Sequence, residues 1–289
     1  MKPRGNREKA RRLFELLGEA VATPADPDAP RQNHPELIAE IAPVVDNACR
    51  TYFRMDVEGF EHVPERPCLV VMNHEAGISF LQVLGFGARW YLERGPDDLP
   101  TPLMHDQMFQ IPAVGNVMSA FGCIRASHRS AEAAIDRGEK VLVAPGGNLE
   151  AFRPFSKRYE IVFGGHKGWA RLARKMGADI LPVVFAGGQE SFFVLHDGQE
   201  IVRRFGLKRW VRLETFPIFL GLPWGLGVGP LFHIPLPAKC SVRILEPIPV
   251  EPGSDDDSEP IDRLYDQVTQ EMGAALRDMG ERRRFPVLG

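Results

Sequence analysis

Cysteine is scarce in this chain, and its four copies are scattered. Cys49, Cys68, Cys123 and Cys240 lie far apart along the 289 residues, and no two of them form a Cys-x-x-Cys pair. This arrangement favours neither a disulfide framework nor a zinc cluster. The sequence therefore predicts a reducing, cytosolic setting, and 44% hydrophobic residues are ample for a core without covalent staples.

The motifs of several other protein classes are missing. The sequence has no Gly-x-Ser-x-Gly nucleophile elbow, and no Gly-Lys-Ser/Thr follows its glycine-rich stretches. These absences exclude a serine hydrolase of that type and a phosphate-binding P-loop. The eight histidines are scattered, and basic residues do not alternate with aromatic ones as a nucleic-acid groove requires. We therefore expect no metal site, no permanently bound cofactor and no nucleic-acid partner.

The amino terminus lacks the solid apolar core of a signal peptide. Its first 12 residues hold six basic side chains and one acidic one, and residues 13 to 21 place apolar residues at helical spacing. We predict an amphipathic helix that either lies on an anionic membrane or docks on the folded chain. Residues 23–34 are rich in proline and predict a linker. The predicted division is 1–34, basic helix and linker, and 35–289, one α/β domain.

The stretch Thr215–Ala238 has no Lys, Arg, Asp or Glu in 24 residues. Its five prolines exclude a membrane-spanning helix, because their backbone neighbours would lack hydrogen-bond partners in hydrocarbon. We predict an apolar loop that covers the core, enters a membrane interface or lines a tunnel.

Strands and helices alternate through the rest of the chain. This order predicts an α/β fold, a single domain with a mostly parallel central sheet flanked by helices. The predicted strands are Val57–Val63, Cys68–Met72, Pro102–Asp106, Val141–Ala144, Ile180–Phe185 and Ser241–Leu245. The predicted helices are Pro35–Phe53, kinked or split at Pro43, Gly77–Trp90, Ile111–Phe121, broken at Gly115, Glu132–Arg137, Trp169–Met176 and Asp262–Met279.

Two strands end in abrupt polar turns. Asn73-His74 follows Cys68–Met72, and Pro145-Gly146-Gly147-Asn148-Leu149-Glu150 follows Val141–Ala144. Ligands collect at the carboxyl ends of strands in open α/β sheets. A histidine at such a place is either a general base or a local tie for the loop, and the glycines form either a ligand-contacting turn or a simple turn.

Together these stretches resemble the glycerolipid acyltransferase superfamily, and within it the monoacylglycerol and diacylglycerol acyltransferase branch. Asn73-His74 resembles the start of the family's first block, and Gly122-Cys123-Ile124-Arg125 resembles the second. Pro145-Gly146-Gly147 with Glu150 and Arg153 resembles the third block of the acylglycerol branch, and Ile180-Leu181-Pro182-Val183-Val184 resembles the fourth. The resemblance covers residues 60 to 250 and implies the fold of a glycerol-3-phosphate acyltransferase.

The resemblance implies transfer of a fatty acyl group from coenzyme A or acyl carrier protein, as co-substrate, to a lipid hydroxyl. His74 would be the general base, and backbone N–H groups of Gly146 and Gly147, beside Pro145, would stabilise the oxyanion. Asn73 is expected near the substrate. Arg125 and Arg153 would bind phosphates of the acceptor or the coenzyme, unless each only forms a surface salt bridge.

One position departs from the family pattern. Five residues after its histidine the first block has an aspartate, and here the residue is Ser79. Loss of an acid that orients a catalytic histidine costs about 10⁴ in turnover in serine hydrolases. Ser79, Glu75, Asp106 or Glu150 would have to orient His74 instead, and of these we favour Glu150.

The leading hypothesis is a membrane-associated O-acyltransferase of glycerolipid or related lipid synthesis, phospholipid synthesis included, that is peripheral on the cytoplasmic face of the cell membrane. Two rivals stay open because of Ser79: a catalytically weakened protein on the same fold that binds acyl-CoA or lipid, and a thioesterase.

Overall fold

The computed structural model describes residues 6–205, 215–254, 256–285 and 287–288. Its longer helices are α1 (Asn6–Ala22), α2 (Pro35–Tyr52), α3 (Leu81–Arg94), α5 (Pro112–Ala120), α6 (His128–Asp136), α8 (Gly168–Met176) and α11 (Ser258–Glu281). The short ones are α4 (Asp106–Phe109), α7 (Gly147–Ala151), α9 (Gly188–Ser191) and α10 (Gln199–Phe205). The strands are β1 (Asp56–Glu58), β2 (Cys68–Met72), β3 (Thr101–Met104), β4 (Ile124–Arg125), β5 (Val141–Val143), β6 (Asp179–Ala186), β7 (Phe193–His196), β8 (Ile218–Gly221), β9 (Gly225–Val228) and β10 (Ser241–Ile244).

Seven strands form the central sheet in the order β1-β10-β6-β2-β5-β3-β4. Only β10 runs antiparallel to a neighbour, β6, while the other adjacent pairs are parallel. The predicted mostly parallel α/β sheet is therefore confirmed. It places the carboxyl ends of β2, β5, β3 and β4 along one edge, where the loops that follow them meet.

Helices cover both faces of the sheet, and this explains why strand β2 is apolar throughout. Alternate side chains of a strand point to opposite faces. Leu69 and Val71 pack into the core beneath α6, α8 and α11, whereas Cys68, Val70 and Met72 pack into the core beneath α2 and α3. A strand buried on both sides cannot alternate with polar residues.

Several predicted boundaries are corrected by the structure. Residues 57–63 form only the end of β1 and a 3₁₀ turn at Phe60–His62. Helix α2 passes through Pro43 without a break, and α5 passes through Gly115. Gly115 is a packing residue, since a Cβ there would lie 3.1 Å from the Cα of Phe109.

Helix α3 begins at Leu81 rather than at Gly77. Gly77 and Phe80 both have positive φ angles, of 70° and 54°, which no α-helix accommodates. The four residues before α3 therefore belong to the loop that follows His74.

The amino-terminal helix docks on the folded chain. Leu16 and Ala20 of α1 are buried against Leu37 of α2 and Ala120 of α5. The outward side chain of Phe14 is 75% exposed. The docked arrangement is thus the one seen, while the division of the chain at residue 34 stays a prediction.

The predicted apolar loop Thr215–Ala238 is instead built around a β-hairpin. Strands β8 and β9 pair with each other, and β8 also pairs with β7, so that the three form a separate antiparallel sheet. Across the described ranges, no helix combines the length and the apolar character that crossing a membrane requires.

Candidate active site

The predicted site residues lie at the carboxyl ends of adjacent strands, along one edge of the central sheet. His74 follows β2, Gly146 and Gly147 follow β5, Asp106 follows β3, and Arg125 ends β4. Because these strands are parallel and adjacent, their loops form one row along the edge. The order along the row is His74, the glycine turn, Asp106 and Arg125.

Asn73 fixes the start of the loop that carries His74. Its side-chain Nδ2 donates to the carbonyl of Phe185 at 2.9 Å, and its Oδ1 accepts from the Phe185 N–H at 2.7 Å. The residue is 1% exposed. Asn73 thus ties the end of β2 to the end of β6, and its expected contact with substrate stays a prediction.

The imidazole of His74 is held through its Nδ1 atom. Nδ1 lies 2.9 Å from the main-chain carbonyl oxygen of Glu75. A carbonyl oxygen only accepts hydrogen bonds, so the proton of the neutral ring is on Nδ1. The lone pair is then on Nε2, which is the tautomer that a general base requires.

Burial tunes the same ring toward the neutral form. It lowers the pKa of His74, against the opposing effects of the Glu75 carbonyl and the charge of Glu150. Phe80 covers part of the ring, with the two ring centroids 6.4 Å apart. A neutral base near pH 7 follows from this environment.

Glu150 is the centre of a buried network. Its Oε2 accepts from the main-chain N–H of His74 at 2.8 Å, and its Oε1 accepts from Val162 N–H at 3.0 Å. Nη1 of Arg153 donates to Oε1 at 3.1 Å. The predicted proximity of Glu150 to His74 is therefore correct, but the carboxylate positions the main chain of His74 and does not contact its ring.

Arg153 is a structural clamp in this network. It is 1% exposed, and its guanidinium also donates to the carbonyls of Arg158 and Glu160 and to Oε1 of Gln189. Burial lowers the pKa of Arg153, while the charge of Glu150 opposes that shift. The geometry contradicts the anion-contacting role, because protein atoms surround the guanidinium.

The glycine turn faces open space on one side and the network on the other. A Cβ on Gly146 would lie 2.6 Å from Glu150 Oε2, so only glycine fits there. Gly147 has a φ of 47°, and a Cβ on it would meet no atom within 4 Å. The carbonyl of Pro145 accepts from His166 Nδ1 at 3.0 Å, which anchors the turn. Within the described residues, the Gly146 N–H has no hydrogen-bond acceptor, so it is the better oxyanion donor.

The other acids considered as partners for the imidazole lie elsewhere. The Glu75 carboxylate points away and accepts from the N–H of Gln82 at the start of α3, at 2.9 Å. Burial raises the pKa of Glu75 to about 7. Ser79 is half-buried, and the structure records no hydrogen bond between it and His74. The expected acid is replaced by a backbone carbonyl, which has no sequence signature.

Arg125 lies three strands from β2, and its charge is already paired. Its Nε lies 2.8 Å from Oδ1 of Asp28 in the linker, and its Nη1 bonds to Oδ1 of Asp106. Strand spacing of about 4.8 Å puts it ~14 Å along the sheet edge from the His74 strand. Asp106 is therefore the partner of Arg125 and not of His74.

An apolar cavity lies behind Phe80, the residue whose ring is near the imidazole of His74. Phe80 contributes to its wall, and the cavity, of about 160 Å³, extends between α2, α3, α5 and the sheet. Its lining contains no charged side chain; the residues are Ile38, Ile41, Ala42, Val45, Phe80, Val83, Leu84, Phe86, Gly87, Ala88, Trp90, Leu99, Pro100, Pro102, Met104, Met118, Phe121, Cys123 and Leu142. Such a cavity suits an unbranched apolar chain.

Two site residues were not foreseen from the sequence. Gln189 joins Arg153 to the carbonyl of Glu150, with which its Nε2 bonds at 3.2 Å. Phe80 shapes the mouth of the cavity from a left-handed backbone conformation. The available signals were weak: Gly187-Gly188 after β6 marked a turn before Gln189, and nothing marked Phe80.

Comparison with known proteins agrees with the geometry. Residues 54–186 match the family model described as Acyltransferase. An uncharacterised protein of Mycobacterium tuberculosis is 28% identical over 211 residues, which cover 73% of this chain and 56% of that protein. The "DGAT1/2-independent enzyme synthesizing storage lipids" of Gallus gallus is 27% identical over 209 residues, or 72% of this chain and 56% of that enzyme. The chain thus spans a little over half the length of these relatives.

A solved structure shares the fold. The 1-acyl-sn-glycerophosphate (LPA) acyltransferase PlsC from Thermotoga maritima aligns with a TM-score of 0.52 at 16% identity, covering 94% of this chain and 90% of that one. The fold is that of an α/β acyltransferase. The match to the Acyltransferase model covers a little under half of the chain, and together with the relatives it supports the resemblance to the glycerolipid acyltransferase superfamily that the four motifs predicted.

The carbonyl contact predicts that Ser79 is dispensable. We expect Ser79→Ala to keep kcat within about twofold, because no bond to the imidazole is lost. Glu150→Gln should lower kcat about 10²-fold, since an amide nitrogen would face one of the N–H groups that Glu150 now accepts from. Thermal unfolding of each variant controls for folding. A loss near 10⁴ for Ser79→Ala, the cost of a missing orienting acid, would contradict the assignment.

The environment of His74 also predicts the pH profile. Burial lowers its pKa from the ordinary 6.5, so the neutral base persists at lower pH than usual. We expect the acid limb of kcat/KM to have its midpoint below pH 6.5. Glu75 has a pKa of about 7, so Glu75→Gln is the control and should leave that limb in place. A midpoint above 6.5 in both proteins would refute the prediction.

Proposed function

We propose that this chain is a membrane-associated O-acyltransferase that moves a fatty acyl group from an acyl thioester to a hydroxyl of an uncharged lipid. The single observation that carries the proposal is His74, with Nε2 left as the free base, joined through Glu150 to the glycine turn and through Phe80 to an apolar cavity. The acyl donor is a thioester of coenzyme A or acyl carrier protein. The site of action is the cytoplasmic face of the membrane.

The reaction needs few groups. Nε2 of His74 takes the proton of the acceptor hydroxyl as its oxygen attacks the thioester carbonyl carbon. The resulting oxyanion accepts a hydrogen bond from the N–H of Gly146. Neither Gly146 nor Gly147 carries a Cβ atom that would keep the oxyanion away from the turn. Collapse breaks the carbon–sulfur bond, and the imidazolium returns its proton to the departing thiolate. The products are an ester and a free thiol.

The arginines support an uncharged acceptor. A phosphate on the acceptor would need a guanidinium that is free to form bidentate contacts. Arg153 is enclosed by protein acceptors, and Arg125 is paired with Asp28 and Asp106. A monoacylglycerol, a diacylglycerol or a long-chain alcohol fits this site better than a lysophosphatidic acid. The name of the Gallus gallus relative, an enzyme synthesizing storage lipids, is consistent with this choice.

An acceptor panel tests the function. Purified protein is given a long-chain acyl-CoA with monoacylglycerol, diacylglycerol, long-chain alcohol or lysophosphatidic acid, and ester and thiol are measured. We expect turnover that His74→Ala abolishes, and a kcat/KM for uncharged acceptors about tenfold or more above that for lysophosphatidic acid, because a charged hydrogen bond is missing there.

The matched variants for this panel are Arg125→Gln and the pair Asp28→Ala with Asp106→Ala. Arg125→Gln should leave turnover of uncharged acceptors unchanged, and removing both carboxylates should improve use of lysophosphatidic acid. Equal rates for wild type and His74→Ala would reject the enzyme and favour a lipid-binding protein. Thiol release without any acceptor would indicate a thioesterase.

The cavity predicts a limit on acyl length that one glycine controls. Gly87 lines the cavity, and a Cβ on it would meet no atom within 4 Å. Gly87→Leu should therefore fill the cavity without disturbing α3 and shift the preferred donor by roughly two to four carbons toward shorter chains. Gly87→Ala is the control and should keep the wild-type preference. An unchanged preference in Gly87→Leu would place the acyl chain elsewhere.

A further inference from the structure

The small β7-β8-β9 sheet is apolar on both of its faces. In antiparallel sheets with one solvated face, outward residues are usually polar. Here Leu220 pairs with Leu226, and Ile218 pairs with Val228, on the outward face. Leu220, Leu226 and Val228 are 46%, 65% and 49% exposed. The outward face therefore lacks the polar residues that contact with water alone would favour.

The turn at the end of the sheet extends this apolar face. Leu222, Trp224, Phe232 and Ile234 are each about half exposed or more. Nε1 of the Trp224 side chain donates to the carbonyl of Phe232 at 2.6 Å, and the main-chain N–H of Ile234 donates to the carbonyl of Leu222 at 2.8 Å, so the turn is held by contacts of its own. Contiguous exposed patches of this kind mark interaction sites, whereas single exposed apolar residues do not.

Charge around the patch favours an anionic partner. No Lys, Arg, Asp or Glu occurs from Thr215 to Ala238. Arg203 and Arg204 are exposed on α10, and two residues before that helix the carbonyl of Asp197 accepts the main-chain N–H of Phe216, close to the start of β8. An uncharged apolar face matches the interior of a bilayer, and the two arginines of the helix joined to the base of the same hairpin favour a bilayer that contains anionic lipid.

The inward face of the same sheet packs on the active site. Phe192, Val194 and Phe219 are buried against Ala76 and Ala151, which lie beside the loop of His74 and the end of α7. The ring of His233 stacks on Phe192 with centroids 3.7 Å apart. One layer of β-sheet thus separates the catalytic loops from the exposed apolar face.

We propose that the outward face of β8 and β9, with the turn around Trp224 and Phe232, docks the protein on an anionic lipid bilayer. The choice of a bilayer rests on the proposed function, because a lipid acceptor must be drawn from a membrane. Helix α1 is the weaker candidate for this contact, since its buried side chains are already docked on α2 and α5. Docking through the small sheet would hold the catalytic loops close to the lipid surface.

Vesicle flotation without any substrate tests the proposal. Full-length wild type is mixed with vesicles of phosphatidylcholine alone or of phosphatidylcholine with phosphatidylglycerol. We expect Leu226→Asp with Phe232→Asp to weaken partition to the mixed vesicles by at least about tenfold. Phe14→Asp, which changes an equally exposed residue of α1, is the matched control and should bind like wild type. Arg203→Gln and Arg204→Gln should each lower binding to the anionic vesicles about fivefold and leave the neutral ones unaffected.

Activity separates this proposal from the proposed function. The Leu226→Asp, Phe232→Asp protein should keep wild-type turnover with short-chain dispersed substrates and lose it with acceptor embedded in vesicles. Wild-type flotation by that variant would overturn the docking surface whatever the enzyme does. A dimer seen by sedimentation in wild type and abolished by the same variant would also overturn it, by assigning the face to a second copy. Failure of the proposed enzymatic function would instead appear as equal turnover by wild type and His74→Ala, and it would leave the flotation result unchanged.

Discussion

The site depends on one buried carboxylate. Glu150 is fully buried, and it receives the N–H groups of His74 and Val162 together with the guanidinium of Arg153. A buried charge persists only when it is paired and hydrogen-bonded, and removing one partner leaves the other uncompensated. The loop after β2, the glycine turn after β5 and the segment before α8 are therefore held in one arrangement. The glycine at 146 belongs to the same arrangement, because the carboxylate occupies the space of its side chain.

Most of the fold was predictable because its signals are local and apolar. The runs Cys68–Met72 and Ile180–Phe185 are β-rich segments bounded by turns, and both are central strands. The errors occur where tertiary contacts override local preference. Pro43 sits within α2 without ending it, and Gly115 signals close packing on Phe109 rather than a break. The β8-β9 hairpin was missed because the five prolines of Thr215–Ala238 indicated a loop, although only Pro223 lies within the hairpin itself.

The sequence predicted which residues form the candidate site, but it did not predict the contacts that those residues make. Motif order identified His74, the glycine turn and Glu150, and the parallel sheet brings them together. Because Ser79 stands where the family has an aspartate, the sequence implied that the imidazole of His74 lacks an orienting hydrogen bond. The main-chain carbonyl of Glu75 provides that hydrogen bond. Backbone acceptors leave no trace in side-chain patterns. Arg125 and Arg153 were predicted as anion-binding residues. Their partners Asp28 and Gln189 are distant in sequence, so the sequence did not indicate that both guanidinium groups are already bound by the protein.

The linker between α1 and α2 has a role at the border of the sheet. The main-chain carbonyl of Pro27 accepts the N–H of Arg125, on the outermost strand β4, at 3.0 Å. Unpaired outer strands are templates for adding a strand from another molecule, and proteins guard them with short strands, charges or covering segments. Here the strand has two residues, and a proline-rich segment lies over it. A chain trimmed to begin at α2 would lose that cover and become prone to self-association through a bare β-edge.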